Sequence, residues 1–326
     1  MTKRIAVLTS GGDAPGLNAA IRAVVRAGNY YNYEVIGIKR GYKGLIEGEY
    51  EFLDARKVSG FLNRGGTFLL TAREKRFKYY EYRKKAVENL NKLGVEALFV
   101  IGGNGSFQAA NLLIKEFNFP VIGIPKTIDN DVYGTDYTIG FDTAVNTAVD
   151  AVEKIKDTSM SHERIFVVEV MGRDSGFIAL STGISTGADV ILIPEYPFPM
   201  HVIVDTIVEG KKRGKNFFII ILAEGVAKAQ ELAPLVEKEL SKHGDFGEVR
   251  YSVLGYIQRG GSPSAYDRII ASKFGVFAVQ HFVKGNIDFM VALDKGQIVA
   301  KPLSVSFGKI KKPNLEDFEI ANILST

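Results

Sequence analysis

The chain contains no cysteine. That excludes disulfides, cysteine-ligated zinc and thiol catalysis, and suits a reducing compartment. Histidine is scarce, and His162, His201, His243 and His281 are too scattered to form a metal cluster, although each can still act singly. Long hydrophobic runs are missing too: the most apolar stretch, Phe217 to Ala223, falls far below the roughly 18 residues of a membrane span, and its length suits a buried strand. Neither charge sign dominates, since 41 basic and 37 acidic residues leave a formal +4 spread along the chain. This balance argues against nucleic acid as the main partner and leaves small phosphorylated ligands open. Met1 to Asp13 passes from basic to apolar but ends in a glycine turn rather than a signal-peptide cleavage site, so a cytoplasmic location is expected. Low-complexity tracts, solenoid-length repeats and compositional linkers are absent. So is Gly-x-x-x-x-Gly-Lys-Ser/Thr, which excludes a P-loop nucleotidase, and no strict Gly-x-Gly-x-x-Gly follows the first strand.

At 326 residues the chain exceeds a typical single core of about 250 to 300 residues, so two lobes sharing a cleft are expected. Short β-branched runs end in glycine or polar turns and are followed by helical periodicity: Ile5 to Leu8, Glu34 to Ile38, Ala97 to Ile101, Val121 to Ile124, Ile165 to Val170 and Phe217 to Leu222. Helices are expected over Leu17 to Ala27, Ala86 to Leu93 with Gly94 as its stop, Ser106 to Phe117 and Thr143 to Lys156. Continuously apolar strands alternating with helices predict an α/β class with parallel sheets covered on both faces.

The chemistry-bearing turns all follow predicted strands, and in a doubly wound sheet such turns share one crevice. Pro125-Lys126-Thr127-Ile128-Asp129-Asn130-Asp131 is the most informative: residues two apart in an extended segment point the same way, so Thr127, Asp129 and Asp131 can face one cavity, as an acceptor-alcohol site requires. The plainer alternative is a polar Asx turn. Glycines 11, 12, 102, 103 and 105 let backbone amides approach phosphate oxygens, and a following helix adds its positive end; each pair alone also fits a tight strand-to-helix turn. Arg173 either caps carbonyls or neutralises phosphoryl charge beside carboxylates. Arg250 and Arg259 bracket Tyr256, and Arg259-Gly260-Gly261-Ser262-Pro263 forms another candidate anion loop, while Lys211-Lys212-Arg213 reads as a solvated helix end.

Together and in this order, LTSGGDAPGLNAAIRAVVR, NRGGT, IGGxGS, TIDND, DTSxSHERxxVVEVMGR and LGxIQRGGSPxxxDR resemble the bacterial-type 6-phosphofructokinases, from Ile5 to about Asn322. The resemblance implies two similar doubly wound lobes with mainly parallel sheets and an active-site cleft between them, residues 1–140 plus 258–306 binding nucleotide and 141–257 plus 307–326 binding fructose 6-phosphate, in a homotetramer. By motif, Asp129 is the general base, Thr127 lies near the transferring phosphoryl group, Arg173 and the Gly12 backbone stabilise its charge, and Asp131 supports the site. ATP would contact Gly12, Arg73, Glu74, Gly103, Asn104, Gly105 and Ser106, with Mg2+ near Asn104. The sugar would be held by Met171, Gly172, Glu224, Tyr256 and Arg259, and by Arg164 and Arg250 reaching over from a neighbouring subunit. Arg22 and Arg26, four apart on one helix face, with Lys156, Gly187, Asp189, Arg213 and Lys215, match an effector site for ADP as activator and phosphoenolpyruvate as inhibitor.

The chain also departs from the family pattern. Asn104 replaces the usual acid of GGDGS, which predicts weaker metal-nucleotide binding. Lys126 replaces the glycine of PGTIDND, as in pyrophosphate-dependent relatives, whereas Gly105 keeps the space that those relatives fill with aspartate. Tyr256 stands in place of histidine, and Ala55 in place of an arginine that Arg56 would supply instead. ATP-dependent sugar phosphorylation is therefore the expected activity. Pyrophosphate as donor and a non-catalytic nucleotide-sensing subunit remain the alternatives, and a distant lipid or NAD kinase would leave LGxIQRGGSP without an explanation.

Overall fold

The structure, a computed structural model, describes residues 2–197 and 199–324; Met1, Phe198, Ser325 and Thr326, which the expected lobe boundaries include, lie outside the described residues. The chain divides into two compact units, Met1–Thr143 with Arg259–Lys311, and Ala144–Gln258 with Lys312–Thr326.

The first unit is built on β1 (Arg4–Thr9), α1 (Leu17–Tyr30), β2 (Glu34–Ile38), α2 (Tyr42–Glu47), β3 (Tyr50–Leu53), α3 (Tyr80–Lys92), β4 (Val95–Gly102), α4 (Asn104–Phe117) and β5 (Val121–Pro125), and α5 (Phe141–His162) leads out of it. The second contains β6 (Ile165–Val170), α6 (Phe177–Thr186), β7 (Val190–Leu192), α7 (Met200–Lys212), β8 (Phe218–Ala223), α8 (Ala229–Leu240) and β9 (Val249–Val253). The chain then returns to the first unit through α9 (Ala265–Val283), β10 (Phe289–Asp294) and β11 (Gln297–Pro302), and ends in the second with α10 (Leu315–Leu324).

In the first unit the strand order is β11-β10-β5-β4-β1-β2-β3. The five central strands run parallel, while β3 and β11 close the edges as antiparallel partners of β2 and β10. Strand alternation sorts the core onto two faces. Ile5 and Val7 pack with α1, α9, Phe99 and Ile124 on one side, whereas Ala6 and Leu8 pack with Leu98, Val100, Phe107 and Leu90 on the other. Helices α1 and α9 touch closely because Gly275 has no side chain: a Cβ there would stand 2.6 Å from that of Ala23. The second unit is an all-parallel sheet, β7-β8-β6-β9, whose Ile165, Val167, Ile220 and Leu222 pack against Ile203 and Ile207 of α7 and Val236 of α8. The fold class is therefore α/β with mostly parallel sheets.

The strands expected over Glu34 to Ile38 and Ile165 to Val170 coincide with β2 and β6, and most of the other predicted strands and helices lie inside longer elements. The strand expected from Phe217 begins at Phe218, and the helix expected from Ala86 begins at Tyr80, where tyrosine-rich, charged sequence hides the periodicity.

Candidate active site

Three adjacent strands of the first unit, β5, β4 and β1, end side by side, and each carries one of the predicted turns. The turn after β1 is shaped by Gly11, whose φ of 85° lies in the left-handed region where a Cβ is strained. Its carbonyls are tied down: the Thr71 hydroxyl donates to the Gly11 carbonyl at 2.8 Å, and the Lys126 ammonium donates to the carbonyls of Ser10, at 3.1 Å, and Gly12. Lys126 itself follows β5, only 3% exposed. Burial pushes its ammonium down to about 8, Arg259 adds to that, and Asp13, Asp129 and Asp131 oppose it. Arg259 crowds the same turn, since a Cβ on Gly12 would stand 2.5 Å from its Nη1.

The segment after Lys126 folds back on itself. The Asp129 amide donates to Thr127 Oγ1 at 3.1 Å, the Thr138 hydroxyl donates to the Thr127 carbonyl at 2.7 Å, and Asn130 takes φ of 51°. Asp129 is buried as a result. At the end of β4, Gly103 leads into α4, where the Asn104 amide donates to the carbonyl and carboxylate of Asp131 at 3.3 and 3.4 Å. Asn104 Oδ1 is buried and accepts no hydrogen bond. Nothing lies within 4 Å of a Cβ built on Gly105, and Ser106 is buried beside Gly102. Arg73 is exposed nearby in sequence, whereas Glu74 turns its carboxylate onto Arg76 at 2.6 Å.

In the second unit, β6 ends in Met171, Gly172 and Arg173, with Gly172 at φ 146° and Arg173 at φ 57°. Glu224, just past β8, holds this turn by accepting from the amides of Gly172 at 3.2 Å and Arg173 at 2.9 Å. The fully buried Gln258 accepts from the Met171 amide at 3.3 Å and donates to the Gly255 carbonyl at 3.0 Å. Arg173 and Tyr256 carry side chains into solvent, Tyr256 being 82% exposed. Arg164 and Arg250 are not part of this grouping. They lie at the opposite, amino ends of β6 and β9, both on Glu248.

A family model for phosphofructokinase matches residues 4–282. The chain belongs to the phosphofructokinase family. Its relatives include the ATP-dependent 6-phosphofructokinase of Persephonella marina, 69% identical over 99% of each chain. The Aquifex aeolicus enzyme of the same name is 56% identical over 90% of this chain and 91% of its own. Among solved structures, phosphofructokinase of Pichia pastoris in the T-state superposes with a TM-score of 0.88 at 36% identity, covering 94% of this chain but only 35% of that longer one. A pyrophosphate-dependent phosphofructokinase from Marinobacter aquaeolei shares the fold, with a TM-score of 0.82 at 24% identity over 99% of this chain and 91% of its own.

This phosphofructokinase also has a cavity of about 280 Å³ in its second unit, lined by Gly187, Asp189, Thr206, Gly210, Arg213, Lys215, Phe218 and Leu324. Four of the predicted effector residues meet there. Asp189 is buried, pairs with Lys215 and accepts from the Ile219 amide at 2.9 Å. Lys156 donates to the Thr186 carbonyl at 2.7 Å, next to Gly187, while Arg22 and Arg26 lie one turn apart on α1 of the other unit. Residues that sequence reasoning left without a role are Thr71, Gln258 and Glu248. Only Gln258 had a local signal, because it sits inside LGxIQRGGSP.

Proposed function

We propose that this phosphofructokinase transfers the γ-phosphoryl group of ATP to the 1-hydroxyl of D-fructose 6-phosphate, forming fructose 1,6-bisphosphate and ADP. It is a phosphotransferase with an alcohol acceptor, acting in glycolysis. The observation that carries the reading is the turn Thr127 to Asp131, which buries the Asp129 carboxylate beside the glycine turns of β1 and β4. Asp129 takes the proton of the attacking hydroxyl, Thr127 lies by the transferring group, and the Gly12 amide and Arg173 neutralise its charge. Phosphoryl transfer depends mainly on positioning and electrostatics, so few side chains need to change protonation state.

The donor's phosphates sit on Gly12, Gly103, Gly105 and Ser106, with Arg73 alongside and Glu74 fixing the Arg73 segment through Arg76. The open space beside Gly105 favours ATP over pyrophosphate. The orphaned Asn104 Oδ1 fits a magnesium ion, which when bound with ATP neutralises phosphate charge; Asp131 helps to orient that amide. Met171, Gly172, Glu224, Tyr256 and Arg259 bind the sugar phosphate. In this reading Arg164 and Arg250 serve a neighbouring subunit of a homotetramer, which agrees with their place at the far end of β6 and β9. The cavity at Asp189, Arg213 and Lys215, with Lys156 and Gly187, forms with Arg22 and Arg26 an effector site between subunits, which takes ADP as activator and phosphoenolpyruvate as inhibitor, each favouring a different assembly state. No helix among the described residues is long and apolar enough to cross a membrane, and a cytoplasmic location fits a glycolytic role.

The test is a coupled assay of fructose 1,6-bisphosphate formation from fructose 6-phosphate with either MgATP or magnesium pyrophosphate. The expected result is turnover with ATP and almost none with pyrophosphate; faster turnover with pyrophosphate reverses the donor assignment.

A further inference from the structure

The ammonium of Lys126 crosses the end of a neighbouring strand to reach its partners. β4 lies between β5 and β1 and ends in Gly102, with Gly103 next, and neither places a side chain in the way. The ammonium then bonds the Ser10 and Gly12 carbonyls while the Thr71 hydroxyl bonds the Gly11 carbonyl from its own side. Three consecutive carbonyls of the glycine turn are thus fixed by two side chains. In a planar trans peptide the C=O of one residue and the N–H of the next point in opposite directions. Holding the Ser10 and Gly12 carbonyls toward Lys126 therefore turns the amides of Gly11 and Asp13 away from it, and holding the Gly11 carbonyl fixes the Gly12 amide. Successive amides set in this way, with Gly11 at φ 85°, form an anion-binding nest.

We propose that Lys126 is a positioning residue for phosphoryl transfer, whose buried ammonium fixes the glycine turn so that its amides meet the donor's phosphate oxygens. The proposal rests on the reading that this turn binds the donor. Keeping the ammonium charged at 3% exposure is unfavourable. The groups facing it are Asp13, Asp129 and Asp131, which favour the charge, and Arg259, which opposes it; with burial the net effect is a group that titrates at about 8. The turn is therefore held at neutral pH and released as the pH rises past that range.

The test uses the whole enzyme, with Lys126→Met to remove the charge and Lys126→Gly to leave a space for added ethylamine. Lys126→Met is expected to lower kcat about 10- to 100-fold, a range typical for lost electrostatic positioning, and to weaken MgATP binding measured by calorimetry without sugar. KM for fructose 6-phosphate should change less than about 3-fold, and the basic limb of the parent's kcat–pH profile should vanish. Ethylamine should restore part of the turnover of Lys126→Gly, a response that a merely misfolded variant would not give. If Lys126→Met keeps kcat within about 3-fold and retains the basic limb, or if ethylamine leaves Lys126→Gly unchanged, the proposal is overturned. A parent that turns over with neither donor contradicts the proposed activity instead, and calorimetric MgATP binding in parent and variant still decides the role of Lys126.

Discussion

Arg164 and Arg250 share one carboxylate oxygen, Glu248 Oε2, at 3.1 and 2.7 Å. Two guanidinium groups this close repel unless an anion lies between them, and Glu248 supplies one in the isolated chain. The pair lies one strand length from Met171 to Arg173, about 20 Å along the six residues of β6. One copy of the chain therefore does not bring these arginines to its own Met171 turn.

Replacing Arg250 by alanine is expected to raise KM for fructose 6-phosphate about 10- to 100-fold, the loss of one charge-assisted phosphate contact. KM for ATP should stay within about 2-fold. Steady-state kinetics with each substrate varied in turn check this, and equal changes in both KM values would remove Arg250 from the sugar site.

Asn104→Asp should lower KM for MgATP, because it puts a carboxylate where a buried, unbonded amide oxygen now lies. Free Mg2+ titration at fixed ATP should shift to lower concentration in the same direction. An unchanged Mg2+ dependence would place the metal elsewhere. Asn104-Gly105 is prone to deamidation, so peptide mass is needed to establish the side chain before the comparison.

Lys215→Ala removes the cation paired with Asp189 in the second-unit cavity. Fructose 6-phosphate saturation curves of the parent should steepen and shift right with phosphoenolpyruvate and shift left with ADP, and those of the variant should respond to neither. Effects that survive the substitution would place the effector site elsewhere.

Asp267 accepts from the amides of Gly140 and Thr143, both at 2.8 Å, where α5 leaves the first unit. Burial raises its carboxyl from 3.8 to about 6 despite the hydrogen bonds from Thr143 and Gly140, which lower it. Between about pH 4 and 6 the folded protein thus binds more protons than the unfolded chain. This group's contribution to stability is full below about pH 4 and is lost as the pH rises through 6. A rise of that size corresponds to about 3 kcal/mol at most. Urea unfolding of the parent and of Asp267→Asn at pH 4.5 and 7 should show the difference between them moving toward the variant at the higher pH. A difference independent of pH would contradict the raised value.

The glycine turns and the Thr127 to Asp131 segment were legible because every residue involved is local to a strand end, where apolar run, turn and helix follow one another. Other elements carried weaker patterns. β7 has three residues, and β9 reads Val-Arg-Tyr-Ser-Val with three of its side chains exposed. The long-range pairings that shape the site were not legible. Thr71 reaches Gly11 across 60 positions and Gln258 reaches Met171 across 87, so only the folded chain joins them. Lys126 shows the same limit. As a sequence position it was a departure bearing on donor choice, and its bonds to the Ser10 and Gly12 carbonyls became visible only once β5, β4 and β1 were in order.

The most direct measurement compares parent and Asp129→Ser by rapid-quench turnover with MgATP and fructose 6-phosphate, together with calorimetric binding of the sugar phosphate. Loss of a base that acts in the transition state should slow the formation of fructose 1,6-bisphosphate about 10²- to 10⁴-fold while sugar affinity stays within about 3-fold. Turnover within a few-fold of the parent would contradict the assignment of Asp129 and with it the proposed chemistry of this site.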